Sequence, residues 1–332
     1  MSDKATAVAP ANIAFIKYWG IRDSDQTLPY NASISMTLTA CVSRCTVELL
    51  PEGPGELEVL VRTDGILAPA PPGFSRGIER HLLRLKTWAG IRGTFRVATE
   101  NSFPTGAGLA SSASGFAALT LAAAAALGRP LKSRELSILA RSSGSGSAAR
   151  SAFGGYVEWP DDKGEGSARQ LAEASHWALS DVVAVVSSAP KEVSSREGHR
   201  RAPGSQFFAR RLERLGEKLR RVRAAIAERD IGDLGSILEE EALELHLIAM
   251  SSRPPIFYWT AGTIAVLRSV RRLREGGLAA YATIDAGPNV HVICPSDEEV
   301  GVAAALRELN EVESVIVDRV GNGPFLTEDH LV

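Results

Sequence analysis

NSFPTGAGLASSASGFAA, residues 101–118, joins a Pro/Gly/Ser loop directly to an alanine-rich helical run. Glycines at 106 and 108 let backbone N–H groups approach an anion closely, and Ser111 and Ser112 add hydroxyl donors. A helix beginning near Ala110 aims the positive end of its dipole at the same place, so the stretch has the makings of a phosphate cradle. An ordinary loop with serine caps would have the same composition. No Lys-Ser/Thr pair follows the glycines, which excludes a Walker loop.

Outward from this stretch the chain alternates strand and helix signals. Upstream, VAPANIAFIKYW (8–19) and ISMTLTACVSRCTVELL (34–50) read as strands, followed by a strand at 56–63, a helix over 75–89 and a strand at 93–99. Downstream, the alanine-rich helix stops at Gly128 with Pro130 behind it, and a short helix over 133–141 leads into the small-residue tract SSGSGSAARS (142–151). FGGYVEW (153–159) and the apolar run DVVAVVSSA (181–189) follow as strands. After Pro190 come amphipathic helices over 205–228, 233–249 and 260–275, and then a β-rich tail of LAAYATIDA, VHVICP and VESVIVDRV with a helix over 297–309. The pattern is α+β, and the change of character near 186–195 divides the chain into domains 1–188 and 189–332.

Composition narrows the class without choosing a function. Of 332 residues, 45% are hydrophobic and 23% charged, and the net charge of −2 gives no general attraction to nucleic acid or membrane. The N-terminus lacks the pattern of a signal peptide and no apolar run has the composition of a membrane span, so a cytoplasmic location is expected. The three cysteines make neither a disulfide framework nor a metal signature, and the spacing of Cys41 and Cys45 on a strand places both on one face as small core residues. None of the six histidines has metal-ligand spacing to another, so no protein-held metal is expected.

Four further segments carry candidate chemistry. Lys17 ends a strand and precedes Tyr18, Trp19 and Gly20, where a solvated flank is the alternative. Arg150 closes the 142–151 tract, whose Ser145 and Ser147 let the chain wrap an anion while the guanidinium clamps phosphate or carboxylate; a flexible linker is the alternative. The segment KEVSSREG (191–198) leaves a buried strand and offers Ser194, Ser195 and Arg196, with His199 directly after it, although a surface turn has the same look. Asp285, inside the apolar run of TIDAGPN, is costly there unless partnered or functional, which makes it the best candidate for a base or an orienting carboxylate.

Taken together these segments resemble a known family. PTGAGLASSASGFAA is similar to the phosphate-binding motif of the galactokinase, homoserine kinase, mevalonate kinase and phosphomevalonate kinase (GHMP) superfamily. ANIAFIKYWG, GSGSAARSAFGGYVEW, VSSREG and TIDAGPN, in that order over almost the whole chain, resemble its decarboxylase branch, the diphosphomevalonate decarboxylases. The resemblance implies a two-domain GHMP kinase fold, with an N-terminal domain similar to ribosomal S5 domain 2 and a ferredoxin-like C-terminal domain. It implies that ATP with Mg2+ phosphorylates the tertiary 3-hydroxyl of a 5-phosphorylated mevalonate and that phosphate and CO2 then leave. On this basis Pro104, Gly106, Gly108, Leu109, Ala110, Ser111 and Ser112 bind ATP, with Mg2+ carried by the nucleotide and by Ser111 or Ser112. Asp285, Lys17 and Arg150 are catalytic, and Tyr18, Arg76, Ser145, Ser147, Arg150, Ser195, Arg196 and His199 meet the substrate. A homodimer is compatible with the sequence, and no nucleic-acid or membrane partner is expected.

The departures from the pattern bear on the substrate. Many members place a lysine after KYWG, associated with the substrate's diphosphate, where this chain has Ile21 and then Arg22; an isoleucine cannot donate to an anion. The position after VSSREG is commonly methionine and is His199 here, and ARSSGSGSAARS carries one extra residue. Loss of a cation is what one phosphate rather than two would produce, so the sequence leans toward decarboxylation of mevalonate 5-phosphate to isopentenyl phosphate. The alternative is the same reaction on mevalonate 5-diphosphate, since Arg22, Arg76 or Arg196 could replace the missing charge. A 3-kinase that stops before decarboxylation would be expected to lose the Asp and Lys that this chain keeps, and a non-catalytic binding protein would lose the polar site.

Overall fold

Each strand and helix expected from the sequence has a counterpart in the computed structural model, which describes residues 3–50, 57–103, 111–160, 166–189 and 191–332. The first part of the chain runs β1 (Lys4–Ile16), a small ribbon of β2 (Ile21–Asp23) and β3 (Leu28–Pro29), β4 (Ser33–Leu50), β5 (Glu58–Thr63), β6 (Ile66–Pro69), α1 (Pro72–Ala89), β7 (Thr94–Asn101), α2 (Ser111–Ala126) and α3 (Ser133–Arg141). A 3-10 helix (Gly146–Ala152), β8 (Tyr156–Trp159) and β9 (Arg169–Ala172) complete it. The second part is β10 (Leu179–Val185), α4 (Ser195–Arg201), α5 (Phe208–Glu228), α6 (Ile231–Ser251), α7 (Ala261–Glu275), β11 (Tyr281–Thr283), β12 (Val290–Pro295), α8 (Glu299–Arg307), β13 (Ser314–Arg319) and β14 (Phe325–Thr327).

These strands make an α+β fold with two main sheets. The larger has the order β14-β1-β4-β7-β5-β6, with β8 and β9 continuing from β4, and the smaller has the order β11-β12-β10-β13. The expected division at 188/189 falls just after β10, and pairing places β10 itself in the smaller sheet, while β14 returns to pair with β1 in the larger. Alanine-rich α2 lies on β1 and β4 with most of its residues buried, because methyl side chains let a helix approach a sheet closely while other elements cover much of the rest. Ile13, Phe15, Ile34 and Met36 of the larger sheet share one core with Leu179 and Val183 of β10 and with Leu215, Ile237 and Leu238 of α5 and α6. The two halves are therefore joined by a continuous apolar interior.

One irregularity shapes this junction. The β1–β4 register passes from Pro10↔Val42 to Asn12↔Thr37, so residues 38–41 of β4 stand opposite Ala11 alone. Such a bulge turns the strand and re-aims its side chains. It sends Cys45 into the core under α1 and α2 and Cys41 into the shared core, so the two cysteines are buried as expected but do not lie in one apolar cluster. The amides freed by the bulge are collected by Asp318 of β13: Thr39 and Ala40 donate to Oδ1 at 2.9 and 2.8 Å, and Cys41 to Oδ2 at 2.6 Å. Asp318→Ala would take the acceptor from these amides and from Arg319 N, of which the buried Cys41 N–H loses most because Thr39 and Ala40 are exposed to water, and is expected to cost about 2 kcal/mol of unfolding free energy. Urea titration of the purified variant measures it, and a loss under about 0.5 kcal/mol would show that water replaces the carboxylate.

Among the described residues no helix is long and apolar enough to cross a membrane, and no group of three or more His, Cys, Asp or Glu side chains could hold a metal ion.

Candidate active site

A cavity of about 360 Å3 opens where the C-terminal end of β1, the N-terminus of α2, the Ser/Gly tract, α4 and the segment after β11 converge. Lys17, Tyr18, Ser111, Ser112, Ser145, Ser147, Arg150, Ser195, Arg196, His199 and Asp285 all line it. Arg76 stays on the exposed face of α1 outside the lining, and Arg22 is likewise exposed on β2. Pro104, Gly106, Gly108, Leu109 and Ala110 lie outside the described residues.

Asp285 is not within a strand. β11 stops at Thr283, and the carboxylate sits in the following turn, with its side chain 28% exposed toward the cavity. The apolar run continues two residues further than the ladder does, because β11 pairs with β12 only over Tyr281–Thr283. The Lys17 side chain is 2% exposed, and its Nζ donates to Asp285 Oδ1 at 2.6 Å. Burial pushes the Asp285 carboxyl up, but Lys17, His291 and Arg150 outweigh it and hold the group below its ordinary value, so the carboxylate is ionised at neutral pH.

Arg150 is held from behind. Its Nε donates to Asn12 Oδ1 at 3.0 Å and Nη1 to Ser33 Oγ at 2.6 Å, while Asn12 Nδ2 donates to Ser151 Oγ at 2.9 Å. Burial pushes the guanidinium down to about 10, against the pull of Tyr18 and Asp285, and it remains cationic at neutral pH. The 142–151 tract is therefore no linker: it folds as a 3-10 helix whose arginine is 3% exposed. Ser145 Oγ lies 3.2 Å from Ser112 Oγ and 3.3 Å from Ser147 Oγ, a row of hydroxyls beside the start of α2.

The segment 194–201 is helical rather than looped. Ser194 Oγ accepts from Glu197 N at 3.2 Å, capping α4 and presenting Ser195, Arg196 and His199 to the cavity. His199 stacks on Tyr18 with centroids 4.4 Å apart, and its Nδ1 accepts from Gly20 N at 3.1 Å. Burial pushes its pKa down to about 3, so the ring is neutral and its Nε2–H is the remaining donor. Burial likewise raises the Tyr18 phenol, with Arg150 opposing, which keeps it protonated. Gly20 is obligatory here: its φ is +94° and a Cβ would stand 2.8 Å from Phe208 Cζ.

Lys191 also lines the cavity and was not singled out from the sequence. Burial lowers its pKa and Asp285 raises it, marking a second ammonium close to the carboxylate. Its only sequence signal is a basic residue just past a buried strand. Behind the cavity, Glu241 and Arg211 grip the Lys17 backbone: Lys17 N donates to Glu241 Oε2 at 3.3 Å, and Arg211 Nη2 donates to Lys17 O at 2.6 Å.

A cavity with four basic side chains, a row of hydroxyls and a paired carboxylate suits a polyanionic substrate and proton removal from it. Comparison with known proteins agrees. Residues 9–170 match the model of the diphosphomevalonate decarboxylase-like N-terminal domain, and residues 181–321 that of the mevalonate 5-diphosphate decarboxylase C-terminal domain. Diphosphomevalonate decarboxylase mvd1 of Aspergillus fumigatus is 34% identical over 392 residues, covering 99% of this chain and 95% of that protein. The solved structure of MDDEF in complex with MVAPP, AMPPCP and magnesium superposes with a TM-score of 0.89 at 34% identity, covering 98% of both chains. Mevalonate diphosphate decarboxylase from Staphylococcus aureus does so with a TM-score of 0.90 at 31% identity, again covering 98% of both.

Proposed function

The chain belongs to the diphosphomevalonate decarboxylase family, and from that premise we propose that it decarboxylates mevalonate 5-diphosphate to isopentenyl diphosphate at the expense of ATP. The observation that carries the reading is the Lys17–Asp285 pair at 2.6 Å, open to a cavity that also holds the fixed guanidinium of Arg150. Asp285 accepts or orients the proton of the tertiary 3-hydroxyl, whose oxygen forms a bond to the γ-phosphorus of ATP as the bond to ADP breaks. Lys17 offsets negative charge on the transferring group. The 3-phosphate then departs with the C–O bond pair, the C–C bond to the carboxylate supplies electrons for the new double bond, and CO2 is released. Arg150 holds the substrate carboxylate until it leaves.

The donor set suits a nucleotide triphosphate. Ser111 and Ser112 stand in the first turn of α2, a 16-residue helix with no acidic residue in that turn, and Ser145 and Ser147 add hydroxyls. Mg2+ bound to ATP would neutralise charge on the β- and γ-phosphates, with Ser111 or Ser112 as its protein contact. The related structure with AMPPCP and magnesium supports both ligands.

The substrate's phosphate number turns on conflicting observations. The relatives are named for the diphosphate, which favours it over the monophosphate that Ile21 suggested, and Lys191 and Arg196 supply cations in the same cavity. Mevalonate 5-phosphate remains the second reading because Ile21 itself lines the cavity. Incubation with ATP, Mg2+ and each substrate, with CO2 and ADP measured, decides between them; no CO2 from either would end the decarboxylase reading. Ile21→Lys is expected to raise kcat/KM for the diphosphate relative to the monophosphate by about tenfold. An unchanged ratio would mean that position 21 does not meet the distal phosphate.

A further inference from the structure

β1 ends at Ile16, so the N–H and C=O of Lys17 lie past the last ladder bond and must be satisfied some other way. They are taken by side chains from the second half of the chain. Lys17 N donates to Glu241 Oε2 on α6 at 3.3 Å. Lys17 O accepts from Arg211 Nη2 on α5 at 2.6 Å and from Asn31 Nδ2 at 3.0 Å. The same Arg211 Nη2 donates to Glu241 Oε2 at 2.7 Å, and Lys218 Nζ donates to Glu241 Oε1 at 3.1 Å and to Glu244 Oε2 at 2.7 Å. Arg211 is 2% exposed, Glu241 0% and Lys218 3%.

A buried ion network of this kind is weak as a stabilising device. Removing its charges from water costs several kcal/mol per ion, and apolar residues of similar size often do as well or better. What apolar residues cannot do is hold both backbone polar groups of one residue, the N–H and the C=O of Lys17, at a fixed place. Five residues further along α6, His246 lies against the backbone of Ile284 and Asp285. The helix rises about 1.5 Å per residue, so α6 contacts the two partners of the Lys17–Asp285 pair at points about 7.5 Å apart.

We propose that Glu241, with Arg211, is a positioning residue: it fixes the Lys17 backbone so that the ammonium stays on Asp285 through phosphoryl transfer. The proposal rests on the decarboxylase reading for its kinetic consequence but not for its geometry. A lysine stem has four rotatable bonds, and with its backbone end loose a single contact to a partly exposed carboxylate would be made only part of the time. With the backbone anchored by Glu241 and Arg211, both ends are fixed.

The test is the double variant Arg211→Met with Glu241→Leu, which removes a buried ion pair together and leaves Lys218 paired with Glu244. It is expected to fold with a Tm a few degrees below that of the parent, because the Lys17 N–H loses its acceptor while Asn31 still serves the C=O, to lower kcat by about 30-fold and to leave the KM for ATP within about twofold. Its second readout needs no substrate: the Asp285 carboxyl, followed by 13C NMR, should titrate at higher pH once Lys17 loosens. Arg150, His291, Lys191, His199, His246 and Tyr18 also face that carboxyl and are unchanged in the variant. A folded double variant with kcat within about threefold of the parent overturns the proposal. If the parent decarboxylates neither substrate, the function fails separately, and an unmoved Asp285 titration then overturns the positioning role by itself. Should the double variant not accumulate, Glu241→Gln, which leaves one oxygen for three donors, is read by the same titration with the same outcomes.

Discussion

Asp285→Asn is expected to lower kcat about a thousandfold while ATP affinity stays within about twofold. The amide cannot take a proton from the tertiary alcohol, and it leaves Lys17, 2% exposed, without its anion. These two losses differ in what they change. Proton removal bears on turnover alone, whereas an unpaired buried ammonium destabilises the fold, so Tm should fall together with kcat. Calorimetric ATP binding and a thermal melt, run beside the ADP and CO2 assay, separate them. A variant that keeps turnover within tenfold of the parent would show that Asp285 holds Lys17 in place and does no chemistry.

Acidification should be the second large effect. His81, His199 and His246 are buried and neutral, each with a pKa pushed from 6.5 down to about 3 by burial, with Arg84 adding to it for His81 and Lys17 for His246. A native-state pKa below the unfolded one means that the unfolded chain binds protons first as pH falls through 6.5, so folding stability declines from there downward. Each such group contributes up to about 1.4 kcal/mol per pH unit, and moving from about pH 7 to about pH 5 should cost about 6 kcal/mol for the three. Glu241 and Asp285, whose pKa values are lowered, add their loss only below the ordinary carboxylate range, in a separate window. Urea unfolding at the two pH values measures the decline. His81→Gln, outside the cavity lining and able to keep a hydrogen bond to Thr120 Oγ1, should remove about a third of it. A flat profile would mean that the rings gain protons in the folded state.

Much of the architecture was legible because strong local signals agreed with the tertiary outcome. The 133–141 helix carries its own periodicity, and the alanine-rich run could only be a helix packed close to a sheet. The KYWG and TIDAG segments were recognisable as chemistry, and the fold brings Lys17 and Asp285 together although 268 positions separate them. What was misread was local geometry. The segment 191–198 reads as a loop from its serines and glycine, yet Ser194 and Glu197 have the spacing of a capping box and the chain is helical from Ser195. Asp285 reads as part of a strand because an apolar run does not say where its ladder stops. Glu241, Arg211 and Lys218 could not be picked out, since on charge-rich amphipathic helices periodicity marks the apolar stripe but not which charged residue turns inward. Arg76 shows the converse: position in a motif order does not tell which face of α1 a side chain takes.

The pairing of β14 with β1, with Thr6 opposite Thr327, has a consequence for biosynthesis. β1 leaves the ribosome long before β14, so one edge of that strand stays open until residues 325–327 have emerged, and much of the core under β1 waits for α5 and α6. An unpaired strand edge invites pairing with other nascent chains, and closure over such a separation is slow. The larger sheet therefore waits for β14 before it is complete, and protection of the β1 edge until then should govern yield. Expression of residues 1–188 alone should give aggregation rather than an independently folded unit.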